Sequence, residues 1–178
     1  ASRGLGDVYK RQVLMSRILR DAAEKAPIFI VSVEGGKKDN AIPRECLSEI
    51  IVEEDKAEAV KAAVEEAVNE IREEFASSDA DFNVTTELSD GCSVKAVTKE
   101  DSAKAVALIQ SLPNGIMRMS QDIDNLVETS LNLGIISLDE SGICLRFALR
   151  SSVGVALKNL KNQIACVSKT YGGSVEFT

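Results

Sequence analysis

Histidine is absent from all 178 residues. That removes the imidazole on which a hydrolytic zinc centre, or a serine or cysteine nucleophile, normally draws. The chemistry left to the chain is recognition by amides, carboxylates and guanidinium groups, and two stretches concentrate it. The first is the polar run Glu34-Gly35-Gly36-Lys37-Lys38-Asp39-Asn40-Ala41-Ile42-Pro43-Arg44-Glu45, set between two apolar segments. Asn40 is a neutral amide that can donate and accept, which suits a polarised carbonyl or the oxyanion that develops from it. The second is the alternation Glu128, Ser130, Asn132, answered downstream by Arg146 and Arg150. A guanidinium fork binds a carboxylate through two parallel hydrogen bonds, so Arg150 is a candidate carboxylate receptor. Lys37, Lys38 and Arg44 could steer an anion, and Asn114 with Gly115 could shape a loop beside a cleft.

These residues need a frame. In the first stretch two glycines open positive-φ space, Asp39-Asn40 favours a turn, and Pro43 forces Ile42 to be extended. It therefore reads as a long hairpin connection between a central strand at Ile28–Val33, apolar on both faces, and a second strand at Cys46–Glu53. A merely solvated loop fits the same residues. Leu126–Ser137 and Ile143–Arg150 predict a second hairpin. If Val127, Thr129, Leu131, Leu133 and Ile135 face the helices together with Ile143, Leu145, Phe147 and Leu149, paired positions sum to an even number. Pairing Ser137 with Ile143 puts Ser130 opposite Arg150, with Glu128, Asn132 and Arg146 on the same free face. A solvated face with cross-strand pairs such as Glu128 with Arg146 remains the plain alternative.

Helical spacing of Met15, Ile18, Leu19 and Ala22 predicts a helix ending before Pro27. Asp55 is expected to cap a long helix striped by Val60, Val64, Ala67, Ile71 and Phe75. Phe82, Val84, Thr86 and Leu88 alternate as a strand, and Val94–Val97 is a short strand candidate. Thr98 with Asp101 forms a capping box for a helix that runs to Leu112, with a loop at Pro113-Asn114-Gly115. Ser151 or Ser152 is expected to cap a last helix ended by Gly172-Gly173, before a strand at Val175–Phe177. The expected fold is α+β: two tandem split βαβ, ferredoxin-like halves, residues 13–90 and 91–178, each an antiparallel sheet with helices on one face. Residues 1–12 fit no such pattern, resemble translated adapter sequence, and are set outside the fold.

Composition limits the partners. A net charge of -7 excludes nucleic acid or an anionic membrane as the main target. The longest apolar run, Ala26–Val33, is too short to cross a bilayer, and no signal peptide is evident, so the cytoplasm is expected. The four cysteines have no C-x-x-C spacing and read as reduced, half-buried thiols.

The stretch from Gly35-Gly36 to Asn40-Ala41-Ile42-Pro43-Arg44-Glu45 resembles the GG-x-x-x-NAIPRE signature of the cytosolic non-specific (aminoacyl-histidine) dipeptidases, two-metal zinc exopeptidases. Pro113-Asn114-Gly115 with Ser120, Leu126 through Gly134, and Leu149-Arg150-Ser151 are similar to the same proteins in the same order. The resemblance is confined to their lid, or insertion, domain. It implies that two zinc or other divalent ions and the general base belong to a catalytic domain of the same polypeptide, outside this chain, so the fragment alone is expected to be inactive and to bind no metal. It further implies that Asn40, Arg150, Glu128, Ser130 and Asn114 contact a dipeptide such as Xaa-His, and that a homodimer can form. The competing reading is a stand-alone, non-catalytic α+β module for protein interaction or small-ligand regulation.

Overall fold

The computed structural model describes residues 11–38, 45–89 and 94–178. Helix α1 (Arg11–Lys25) turns Ile18, Leu19 and Ala22 into the core, as their spacing predicts, whereas Leu14 is fully buried and the expected Met15 only half-buried. It starts ahead of residue 13, so Arg11 and Gln12 are helical too. The Arg11 guanidinium forks the Asp79 carboxylate at 2.6 and 3.1 Å and lies 4.9 Å from the Phe82 ring centre. Strands β1 (Phe29–Gly35) and β2 (Cys46–Ile51) pair antiparallel from Phe29↔Ile51 to Gly35↔Cys46, so they flank the polar loop. Helix α2 (Ala57–Glu74) buries Val60, Val64, Ala67 and Ile71 and exposes its glutamates. Asp55 is not its cap. A 3-10 turn at Glu54–Lys56 leads in, and there Lys56 N–H bonds the Glu53 carbonyl at 2.9 Å, so the backbone is satisfied without a side chain.

Helix α3 (Lys99–Ser111) is capped as expected, with Thr98 Oγ1 accepting from Asp101 N–H at 3.1 Å. The expected loop is confined to Pro113 and Asn114, and Gly115 already opens a short strand that the sequence reading did not include, β3 (Gly115–Met119). Then come β4 (Val127–Asp139), β5 (Gly142–Ser151) and helix α4 (Gly154–Thr170), which ends at Gly172 with φ +78°. Val153 occupies the cap position of α4 and makes no side-chain cap. The Ser151 hydroxyl turns back on Val153, accepting from its N–H at 3.1 Å.

The fold is α+β with a five-stranded antiparallel sheet and its helices packed on one face. The two halves do not form separate sheets. They merge along β4, whose C-terminal part pairs with β1 (Gly35↔Ile136 to Val33↔Leu138) and whose N-terminal part pairs with β3 (Gly115↔Leu131 to Met119↔Val127). Both lie on the same edge of β4, and β5 takes the other.

Three expected strands are not strands. Phe82 is buried and Val84 half-buried, but one-sided burial also arises from an irregular segment laid over helices, and 82–88 joins no ladder. Segment 94–97 contributes a bond from Val97 N–H to the Ile30 carbonyl at 2.9 Å and forms no strand. Val175 and Phe177 lie along α4 with irregular backbone.

Candidate functional site

The free face of the β4–β5 hairpin carries the predicted polar set. Ser130 stands opposite Arg150, as face-matching requires. The pairing holds from Thr129↔Ser151 to Leu133↔Phe147, then slips by one residue at Gly134: Ile135 faces Arg146, and Ser137 faces Cys144 in place of the expected Ile143. Gly134 is a β-bulge. It transfers Ile135 to the free face and returns Ile136 and Leu138 to the core, where they are 2% and 3% exposed. Beyond the bulge the hairpin therefore closes at Asp139↔Gly142, a tighter turn than expected.

Glu128 is only 8% exposed, and its cationic partner is Arg118 of β3, Nε to Oε1 at 3.4 Å; the expected Arg146 is not its partner. Register accounts for this. Across β4 the neighbouring β3 brings Arg118 beside Thr129, whereas Arg146 sits beyond the bulge. The Thr129 hydroxyl also reaches Glu128 Oε1 at 3.4 Å, and the Glu128 carbonyl accepts from Ser152 N–H at 3.0 Å. Arg118 escapes the sequence reading because nothing there assigns a strand to Ile116–Met119, and its place before Met119 and Ser120 offers no periodic signal. Arg146 and Arg150 are exposed and make no ion pair among the described residues.

Asn114 is half-buried, and its Oδ1 accepts from Leu133 N–H at 3.4 Å, so that oxygen is occupied in tying the start of β3 to β4. Lys37 and Lys38 are exposed, whereas Asn40 and Arg44 lie outside the described residues. The root of their loop is nevertheless defined. Gly36 has φ +79°, and a Cβ there would fall 1.8 Å from the Gly134 carbonyl oxygen. Backbone touches backbone at this point, which only glycine permits. The Gln12 side-chain amide donates to the same carbonyl at 3.4 Å.

The match to known proteins follows this layout. The profile of a family described as the peptidase dimerisation domain covers α1, β1, β2 and α2. Residues 13–79 match the peptidase dimerisation domain. The whole chain resembles the cytosol non-specific dipeptidase of Escherichia coli, 28% identical over 174 residues, 97% of this chain and 35% of that protein. The crystal structure of the aminoacylhistidine dipeptidase from Vibrio alginolyticus superposes with a TM-score of 0.84 at 24% identity, over 96% of this chain and 34% of that one, and shows the same fold. The chain thus spans about a third of the length of the relatives it matches. The resemblance carried by the sequence motifs is borne out, and it is a resemblance to the dimerisation part.

Among the described residues no three or more His, Cys, Asp or Glu side chains come together as a metal group, so these residues do not fit a metal centre. Cys46, beside Gly35, is half-buried, and desolvation pushes its thiol up to about 12, which leaves it a poor nucleophile. Cys144 and Cys166 are exposed, against the expectation of half-buried thiols, because each lies on the solvent side of its strand or helix. No helix among the described residues is long and apolar enough to cross a membrane.

Proposed function

We propose that the chain is the lid, a substrate-binding and dimerisation-type domain, of a cytoplasmic metal-dependent dipeptidase acting on Xaa-His and other dipeptides. Its metal ions, zinc or another divalent cation, and its general base would be held by a catalytic part outside residues 1–178. The similarity to a dipeptidase along 97% of the chain carries this reading. In it, Arg150 takes the C-terminal carboxylate of the dipeptide, since its guanidinium is exposed and has no ion pair among the described residues. The Ser130 hydroxyl, opposite on β4, offers one further hydrogen bond. Glu128 is held by Arg118 and shapes the rim of the site. Asn40 donates to the reacting carbonyl, so the chain's share of the chemistry is to bind, orient and exclude water. A second copy of the chain is the proposed dimer partner.

The reading is tested in a chimera in which residues 13–178 replace the matching third of the E. coli dipeptidase. Arg150→Ala should lower kcat/KM on the order of 100-fold, mainly through KM, at unchanged zinc content. Arg146→Ala should have little effect. Equal loss of zinc and activity would make Arg150 structural, and metal-dependent dipeptide turnover by residues 13–178 alone would overturn the assignment.

A further inference from the structure

β5 has two edges, and β4 occupies only one of them along its length. The other borders a cleft of about 950 Å³. One wall is β5 from Leu145 to Leu149, the floor is apolar (Leu108 of α3 and Leu112 just after it, Leu157 and Ile164 of α4), and the far wall is the segment 172–178. That segment runs back along α4: Gly173 N–H bonds the Ser168 carbonyl at 2.8 Å, and the Phe177 ring centre lies 5.1 Å from Lys161 Nζ. A strand, a helix packed against it and a segment lying back along that helix, with a cleft between the first and the last, leave room for one further strand beside β5. Val175 and Phe177, 37% and 41% exposed, offer apolar side chains on the cleft's far wall.

We propose that the outer edge of β5 and this cleft bind an extended acidic peptide by antiparallel strand addition. Its alternate apolar side chains would enter the floor, and its carboxylates would lie beside Arg146 and Arg150. A free strand edge supplies backbone hydrogen bonds, and pockets under alternate side chains supply selectivity. The charge follows from the face. Arg146 and Arg150 flank Ala148 on the free side of β5 and lack ion pairs among the described residues, while Glu176 is the acid on the far wall. A second copy pairing β5 with itself would set these arginines against each other, so an acidic partner is favoured. The proposal shares Arg150 with the dipeptidase reading but does not depend on it, because it rests on the open edge of β5 and is tested at Arg146, which that reading leaves without a role.

The probe is the blocked heptapeptide Thr-Val-Asp-Val-Glu-Ile-Thr, titrated into the full chain by calorimetry and by hydrogen exchange of individual amides. The expected result is saturable binding that protects amides within 145–149 and weakens about tenfold in Arg146→Glu, an exposed position where folding is not at stake. An analogue N-methylated at alternate amides should not bind. Binding that leaves the β5 amides unprotected, equal binding of the methylated analogue, or protection of β5 by self-association at rising protein concentration would each overturn the proposal.

Discussion

The two halves use nearly the same elements in the same order and bury them very differently. In the first, α2 sinks Val60, Ala63, Val64, Ala67, Val68 and Ile71 against α1 and the sheet. In the second, α4, one residue shorter, fully buries only Leu160 and Ile164 and leaves Val155 79% exposed. The first half is where apolar burial holds the fold together. The second keeps a strand edge, a cleft and a polar face within reach of solvent, so the proposed recognition surfaces lie where apolar burial contributes least.

The sharpest way to break this contrast is at the joint between the halves. Gly36→Ala would drive a methyl into the Gly134 carbonyl and strain a left-handed residue, and should cost roughly 3 kcal/mol or more in urea unfolding. A loss under ~1 kcal/mol would mean that the halves are not held by this contact. Next in size is Ile71→Ala, which empties a site 1% exposed and should cost about 3 kcal/mol, while Val155→Ala at the matching helix of the other half should stay within about 0.5 kcal/mol. Similar costs at both would abolish the distinction. Thiol labelling at pH 8, mapped by mass spectrometry, should modify Cys144 and Cys166 of the second half within minutes and spare Cys46 of the first, whose thiol is pushed up to about 12. Smallest is the effect at the hairpin turn. Ser141, through its hydroxyl and its backbone N–H, holds the exposed Asp139 carboxyl below its ordinary value. That contribution is present above the unfolded-state carboxylate pKa and is lost as pH falls through the lower folded value. Amide exchange at Ser141 and Gly142 should therefore speed up, beyond its intrinsic pH dependence, only at the acid end.

The helices were legible because their apolar stripes are long and their neighbours charged, as in Val60 to Ile71, and the Thr98–Asp101 cap was legible from its spacing alone. The pairing of Ser130 with Arg150 followed from keeping like faces together over Thr129–Leu133. What failed was local in origin. β3 is short and begins on the glycine of Pro113-Asn114-Gly115, so the turn residues masked it. The alternations at 82–88 and 175–177 record one-sided burial and not a ladder. Arg118 could not be assigned to Glu128 without β3, and the position of Asn40 falls outside the described residues. The bulge did leave a signal, a glycine within an otherwise β-branched and leucine-rich strand, which alternation by itself could not interpret.

Strike out Gly134, and Leu131, Leu133, Ile136 and Leu138 alternate inward without interruption. The interior of the protein has no need of that residue. What it does contribute is its carbonyl, which meets Gly36 and the Gln12 amide. Geometrically it behaves as an insertion, and a deletion variant would keep every inward-facing side chain of β4 while losing the contact between that strand and the root of the Asn40 loop.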